Sequence, residues 1–252
     1  MGIIQNSAAR ADQTGRSRVS QFLIDVGRSL DLVASGLDRR DSARSYSQFG
    51  EDKVLRSLLN EPFGNYLDIG AGHPKRNSNS YYFYKRGWRG VLVEPIASNV
   101  ELCQRTRPRD TIKKCLVGTT LLANDSNDKC HFWEFEPSEL STASPDRAQS
   151  LIDSGVALKS MYTCSVVPIS ELLPPVSPDD PYFVSIDVEG LDVQILQSID
   201  WRRSSPRVVC VEDADWASNR SPISQLMTDR GYFLASQHTV SSIYLHSAFV
   251  LK

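Results

Sequence analysis

The fold of this chain is constrained most by Tyr66-Leu-Asp-Ile-Gly-Ala-Gly-His73, followed about two dozen residues later by Val91-Leu-Val-Glu-Pro95. The first reads as a buried strand running into a glycine turn, the second as an apolar strand with an acid at its carboxyl end. In an open α/β sheet that pairing brings a nucleotide-like ligand to the strand ends. Gly70 and Gly72, with Ala71 between them, let the backbone approach the ligand closely, and Glu94 can accept hydrogen bonds from a ribose diol. Asp68 ahead of the glycines, and the missing third glycine, favour S-adenosylmethionine over a dinucleotide. That cofactor has no pyrophosphate to cradle, and it carries an ammonium and a sulfonium.

Further along, apolar runs alternate with helical patterns. Strands are expected at Tyr66–Ile69, near Val91, at Ile112–Val117, Tyr182–Asp187, Val208–Val211, Tyr232–Ala235 and Ile243–Leu245. Helices are expected from Ser47 to Leu59, Asn77 to Arg86, Asn99 to Thr106, Leu191 to Ile199 and Ser221 to Arg230. The pattern predicts an α/β fold with a doubly wound, seven-stranded, mostly parallel Rossmann-like sheet and an antiparallel last strand. Cys130–Phe135 and Tyr162–Ile169 alternate like strands, and Ser138 to Lys159 between them reads as an irregular insertion, a lid or acceptor-binding segment.

The domain of this fold spans 46–252. Residues 1–45 form an extension: a flexible start, then Val19, Phe22, Leu23, Val26, Leu30 and Val33 at the spacing of an amphipathic helix. That helix is expected to dock on the body of the protein, with a homo-oligomer contact or a membrane-surface contact as the alternatives. A formal net charge of −2 gives no global pull toward nucleic acid, and no apolar run is long enough to span a bilayer. The cysteines, Cys103, Cys115, Cys130, Cys164 and Cys210, have no paired short spacing and read as reduced core residues of a cytoplasmic protein.

Four blocks in order resemble the FkbM-type methyltransferase family: Ser47-Gln-Phe-Gly-Glu-Asp52; Leu67-Asp-Ile-Gly-Ala-Gly-His-Pro74; Ser78-Asn-Ser-Tyr-Tyr-Phe-Tyr-Lys-Arg-Gly-Trp-Arg-Gly-Val-Leu-Val-Glu-Pro95; and Ile186-Asp-Val-Glu-Gly190 with Leu196-Gln-Ser-Ile-Asp-Trp201. The resemblance runs from about Tyr46 to the end. It departs at Ser80, where the family often has threonine, and in the first 45 residues. It implies a class I methyltransferase fold, S-adenosylmethionine as donor, and oxygen methylation of a sugar or small-metabolite hydroxyl. On the resemblance alone, Gln48 and Glu51 close the cofactor pocket.

The candidate cofactor residues are therefore Gln48, Glu51, Asp68, Gly70, Ala71, Gly72, Glu94 and Asp187. His73, whose ring titrates near ~6.5 when unperturbed, is a candidate base, as are Asp187 and Glu189 at the end of the fourth strand. Asp187, Glu212 and Asp213, brought together at neighbouring strand ends, are a candidate all-oxygen site for Mg²⁺. Lys75 and Arg76 are placed to meet an anionic acceptor such as a nucleotide sugar. Two other classes stay open: a nicotinamide-dependent oxidoreductase on the same sheet, which His73-Pro74 argues against, and a non-catalytic cofactor-binding module.

Overall fold

The computed structural model describes residues 44–118, 128–213 and 221–250. After α1 (Glu51–Leu58), the strand β1 (Asn65–Ile69) sits at the centre of the main sheet. Its alternation sends Tyr66 and Asp68 to one face, Leu67 and Ile69 to the other, and all four are buried. The chain continues through α2 (Tyr81–Lys85), β2 (Arg89–Val93), α3 (Ala97–Thr106) and β3 (Thr111–Lys113), moving outward from the centre. It then makes β4 (Leu116–Val117), β5 (Lys129–Glu136), α4 (Pro145–Asp153) and β6 (Ala157–Val167) before returning to the main sheet. There β7 (Tyr182–Ile186) pairs with the free side of β1, and α5 (Asp192–Gln197), β8 (Val208–Glu212), α6 (Pro222–Asp229), β9 (Tyr232–Gln237) and β10 (Ser241–His246) follow.

The main sheet has the order β3-β2-β1-β7-β8-β10-β9, and β10 is antiparallel to both its neighbours. This is the expected doubly wound, seven-stranded sheet with an antiparallel last strand. Because the chain leaves β1 toward β2 and comes back to β7, the strand order reverses between β1 and β7, and a ligand crevice is expected at their carboxyl ends. One face packs Leu55, Leu58, Phe83, Trp88 and Phe183 under the first three helices, and the other packs Leu67, Val184, Ile195, Ile223 and Met227 under α5 and α6. All five cysteines are buried, free thiols.

Three expectations about elements change. The strand expected at Ile112–Val117 divides at Lys114: Thr111–Lys113 stays with β2, while Leu116–Val117 pairs with β6 in a second sheet of order β4-β6-β5. The helix expected from Asn77 begins only at Tyr81. Asn77 has φ 54°, the Ser78 amide donates to the Tyr46 carbonyl, and the Asn79 side chain reaches Ser185 at 3.1 Å, so these residues are committed outside a helix. The insertion from Ser138 to Lys159 is ordered around α4, whose start is set by Ser144 accepting from the Arg147 amide and by Pro145 in the first turn. The helix expected at Val19–Val33 lies outside the described residues.

Candidate active site

The second sheet covers the carboxyl ends of the main strands. Phe132, Cys130 and Cys164 pack there with Ile96 and Leu191. Between the two sheets lies a cleft of about 1250 Å³, part of it open to solvent. Its floor is the glycine loop, Gly70-Ala71-Gly72. Its walls include Glu94, Ile96 and Asn99 on one side, Asp187 and Glu189 on the other, and Gln48.

Gly70 has φ +79°, and a Cβ placed on it would meet the Asp187 carbonyl oxygen at 1.7 Å, so the loop crosses the end of β7 where a side chain has no room. Gly72, at φ +53°, donates its amide to Glu94 Oε2 at 2.8 Å. The Ile96 amide donates to Glu94 Oε1, also at 2.8 Å, and the Asn99 side chain makes a third hydrogen bond. A carboxylate has about four acceptor positions, so one stays available to a ligand hydroxyl. Glu94 is only 3% exposed, and burial pushes its carboxyl up to about 7 against the pull of those donors.

Asp68 is not among the residues lining the cleft. It is buried on the other face of β1, where it accepts from Ser80 Oγ. Arg107 links the same cluster, with Nη1 to Ser80 at 2.9 Å, Nη2 to Tyr66 at 2.8 Å and Nε to Asp110 at 2.8 Å. The contacts of Asp68 are thus those of a brace beneath the glycine loop, away from the cleft wall where a cofactor contact was expected. Glu51 is likewise buried, accepting from the Phe49 amide at 2.9 Å, and does not line the cleft, whereas its neighbour Gln48 does.

His73 lines the cleft, but its Nδ1 accepts from the Lys75 and Arg76 amides, each at 3.1 Å. The neutral ring therefore carries its proton on Nε2, and burial together with Arg76 lowers its pKa. With Nδ1 occupied by those two amides, the ring nitrogen left for a ligand is the Nε2–H donor.

Asp187, Glu189 and Glu212 each offer a carboxylate oxygen within 4.8 Å of the others. Asp213, expected in that group, turns away and accepts from Ser221 (2.9 Å) and Ser242 (3.2 Å). The reason is strand geometry: Asp213 follows Glu212 directly at the end of β8, where neighbours face opposite ways, whereas Glu189 reaches Asp187 from the loop beyond β7. Glu189 takes the left-handed conformation, φ 56°. Thr142 Oγ1 donates to its carbonyl at 2.7 Å, and Arg147 from α4 pairs with its carboxylate at 2.8 Å. Protein surrounds Asp187 on every side but the cleft, onto which its side chain is exposed. Burial and the Asp192 and Glu189 carboxylates push Asp187 well above the usual carboxylate range. Burial, with Asp187 next, does the same to Glu212.

These shifts have a sign. The native carboxyls hold protons that the unfolded chain has released above its ordinary carboxylate range, so stability falls as pH rises through that range and through the native value of about 7 for Glu94. In EDTA, without ligand, Glu212→Gln is expected to melt roughly 3 °C or more above the parent at pH ~8, with the gap closing near pH ~5. Calorimetric melting across pH reads this directly. A variant destabilised equally at both pH values would mean that Glu212 has a stabilising partner.

The cleft residues that sequence reasoning missed come mostly from the second sheet and from the chain just past β3: Cys115, Val117, Cys130, Phe132 and Val166. Asn99 was within reach, because it lies in the first turn of the helix that follows Glu94.

Comparison with curated proteins gave no match. Among solved structures, a TehB-like SAM-dependent methyltransferase from Corynebacterium glutamicum is 12% identical, with 87% of this chain and 95% of that one covered and a TM-score of 0.40. An O-methyltransferase from Bacillus cereus in complex with SAH is 12% identical, with 85% and 94% covered and a TM-score of 0.39. The 1,6-didemethyltoxoflavin-N1-methyltransferase of Burkholderia thailandensis is 13% identical, with 88% and 86% covered and a TM-score of 0.36. These are loose likenesses, and the family rests on the sequence match instead. The methyltransferase FkbM domain matches residues 68–234, which hold the glycine loop, Glu94 and the carboxylates at the ends of β7 and β8. The chain belongs to the FkbM methyltransferase family.

Proposed function

We propose that this chain is an S-adenosylmethionine-dependent O-methyltransferase acting on a hydroxyl of a sugar or small metabolite. The observation that carries the reading is the buried Glu94 carboxylate, fixed by the Gly72 and Ile96 amides and facing the cleft beside a glycine loop. The donor set fits the cofactor: Glu94 for a ribose diol, the Gly70–Gly72 backbone for close approach, and Asp187 across the cleft for a cationic group. When bound, S-adenosylmethionine supplies a methyl group made electrophilic by the sulfonium.

The protein's own part is alignment and proton removal. Alignment of reacting atoms is worth effective molarities of order ~10⁵ M or more, and a positioned base adds ~10²–10⁴-fold. Of the three carboxyls, Asp187 and Glu189 line the cleft, and a cationic group bound beside Asp187 would favour its ionised form and fit it to take the acceptor's proton. Arg147 and Thr142 hold Glu189 in position. His73 Nε2–H is placed to donate to the acceptor. The free thiols agree with a cytoplasmic setting, and no helix among the described residues is long and apolar enough to cross a membrane.

A second reading of the same three carboxylates follows from their convergence. All-oxygen ligation suits a hard divalent cation, so Asp187, Glu189 and Glu212 would hold Mg²⁺, which lowers the pKa of a hydroxyl beside it.

Labelled methyl donor offered with a panel of sugars, nucleotide sugars and small hydroxylated metabolites, in Mg²⁺ and in EDTA, tests the assignment. Label in a methyl ether supports it, and loss of turnover in EDTA alone adds the cation. Label on nitrogen, or binding of the donor with no transfer to any hydroxyl, would overturn the oxygen assignment.

A further inference from the structure

The helical layer over one face of the main sheet carries a cluster that the cleft chemistry does not use. Tyr46 and Tyr81 meet edge to face at 4.9 Å, and Tyr81 stacks with Tyr84 at 6.2 Å. Cations lie over these rings: Arg44 5.4 Å from Tyr46, Lys75 5.9 Å from Tyr81 and Arg109 4.2 Å from Tyr84. The adjacent Tyr82 carries Arg56 at 3.7 Å and Arg86 at 6.0 Å. The acids of the same stretch are turned inward. Glu51, Asp68 and Glu94 are buried, Asp52 is buried and paired with Arg56, Asp110 is held by Arg107, and Glu61 pairs with Arg207. From Arg44 to Asp110, among the described residues, Glu101 is the only exposed acid, and every other exposed charge is basic.

We infer that this tyrosine-and-cation face docks the protein on an anionic bilayer surface. With a formal net charge of −2 for the whole chain, so basic a face leaves the remainder acidic, and a protein polarised this way is oriented by the field of an anionic surface. The rings favour lipid over nucleic acid as the partner. Tyrosines with an apolar body and a polar tip suit the headgroup level, where basic side chains reach phosphates. Tyr46, Tyr81, Tyr82 and Tyr84 are each half-buried, so ring surface is left to meet the headgroup layer beside the basic side chains. The patch is continuous with the cleft through the His73–Asn77 loop, which bears both Lys75 and the cleft-lining Arg76. Docking would thus set the cleft mouth near the lipid headgroups.

The test is co-sedimentation of the full chain with vesicles of phosphatidylcholine alone and of phosphatidylcholine with phosphatidylglycerol in a three-to-one ratio. A duplex DNA arm is read by mobility shift. Binding is expected to the anionic vesicles only, to weaken with added salt, and to fall at least about tenfold in Arg86→Glu/Arg109→Glu. If that variant melts lower than the parent, Arg86→Gln/Arg109→Gln should give a smaller loss in the same direction. Equal binding to neutral vesicles, no binding to either, or anionic binding untouched by both variants would overturn the proposal. So would patch-dependent binding to DNA without binding to vesicles.

Discussion

Gly70→Ala is expected to abolish cofactor binding and to lower the stability of the fold. The added Cβ would lie 1.7 Å from the Asp187 carbonyl oxygen, a backbone atom at the end of β7 that no side-chain rotation can move. The residue is also held at φ +79°, a conformation costing an L side chain roughly 1–2 kcal/mol. The loop must therefore leave the strand end, and misplacement of about 1 Å in a reacting site costs on the order of a hundredfold. Gly72→Ala is the informative contrast. Its φ of +53° is strained too, but the nearest atom to its Cβ is 3.9 Å away, and its amide can still donate to Glu94. It should fold and bind with a modest penalty. Melting and cofactor titration of both variants decide the matter, and equal behaviour would show that the contact with β7 is irrelevant.

Arg107→Met should cost the most stability of any single change outside the glycine loop. The guanidinium is fully buried and meets Tyr66, Ser80 and Asp110, with Asp68 close by through Ser80. Removing it leaves two buried carboxyls without their cation, and breaking a buried pair this way typically costs ~3–5 kcal/mol. For a chain of this size that is a Tm lower by roughly 10 °C. Arg107→Lys should rescue little, because an ammonium cannot send fixed donors in three directions at once. Arg107→Met/Asp110→Asn should recover part of the loss, since one stranded charge is gone. Denaturant melts of the single and double variants test this, and a single variant as stable as the parent would remove the network from the account.

The sequence made some of this legible for physical reasons. Apolar strands ending in Gly70 or Glu94 announce themselves, because a strand end in an α/β sheet is where backbone and acid can meet a ligand. Asp187 was visible on the same ground. Alternation separates two other acids from the cleft: Asp213 cannot share a face with Glu212, nor Asp68 with Ile69, and both lie where alternation sends them. His73 was recognised as a cleft residue, but its tautomer is set by two backbone amides that only the folded loop supplies. The second sheet was half legible. Alternation at Cys130–Phe135 marked a strand, yet nothing local says that its partner is β6, or that Leu116–Val117 leaves the main sheet to join them. The Arg107 cluster was not legible, because its partners are scattered from Tyr66 to Asp110 and meet only across the helical layer.

The central claim is that Glu94 and the glycine loop form an S-adenosylmethionine site. Calorimetric titration of the parent chain and of Glu94→Ala with S-adenosylmethionine, with NAD⁺ as control, tests it most directly. The parent should bind the methyl donor and not NAD⁺. The variant, having lost its charged acceptor, should bind roughly ten- to a hundredfold more weakly while remaining folded by its melting transition. Unchanged affinity in Glu94→Ala, or binding of NAD⁺ alone by the parent, would contradict the account.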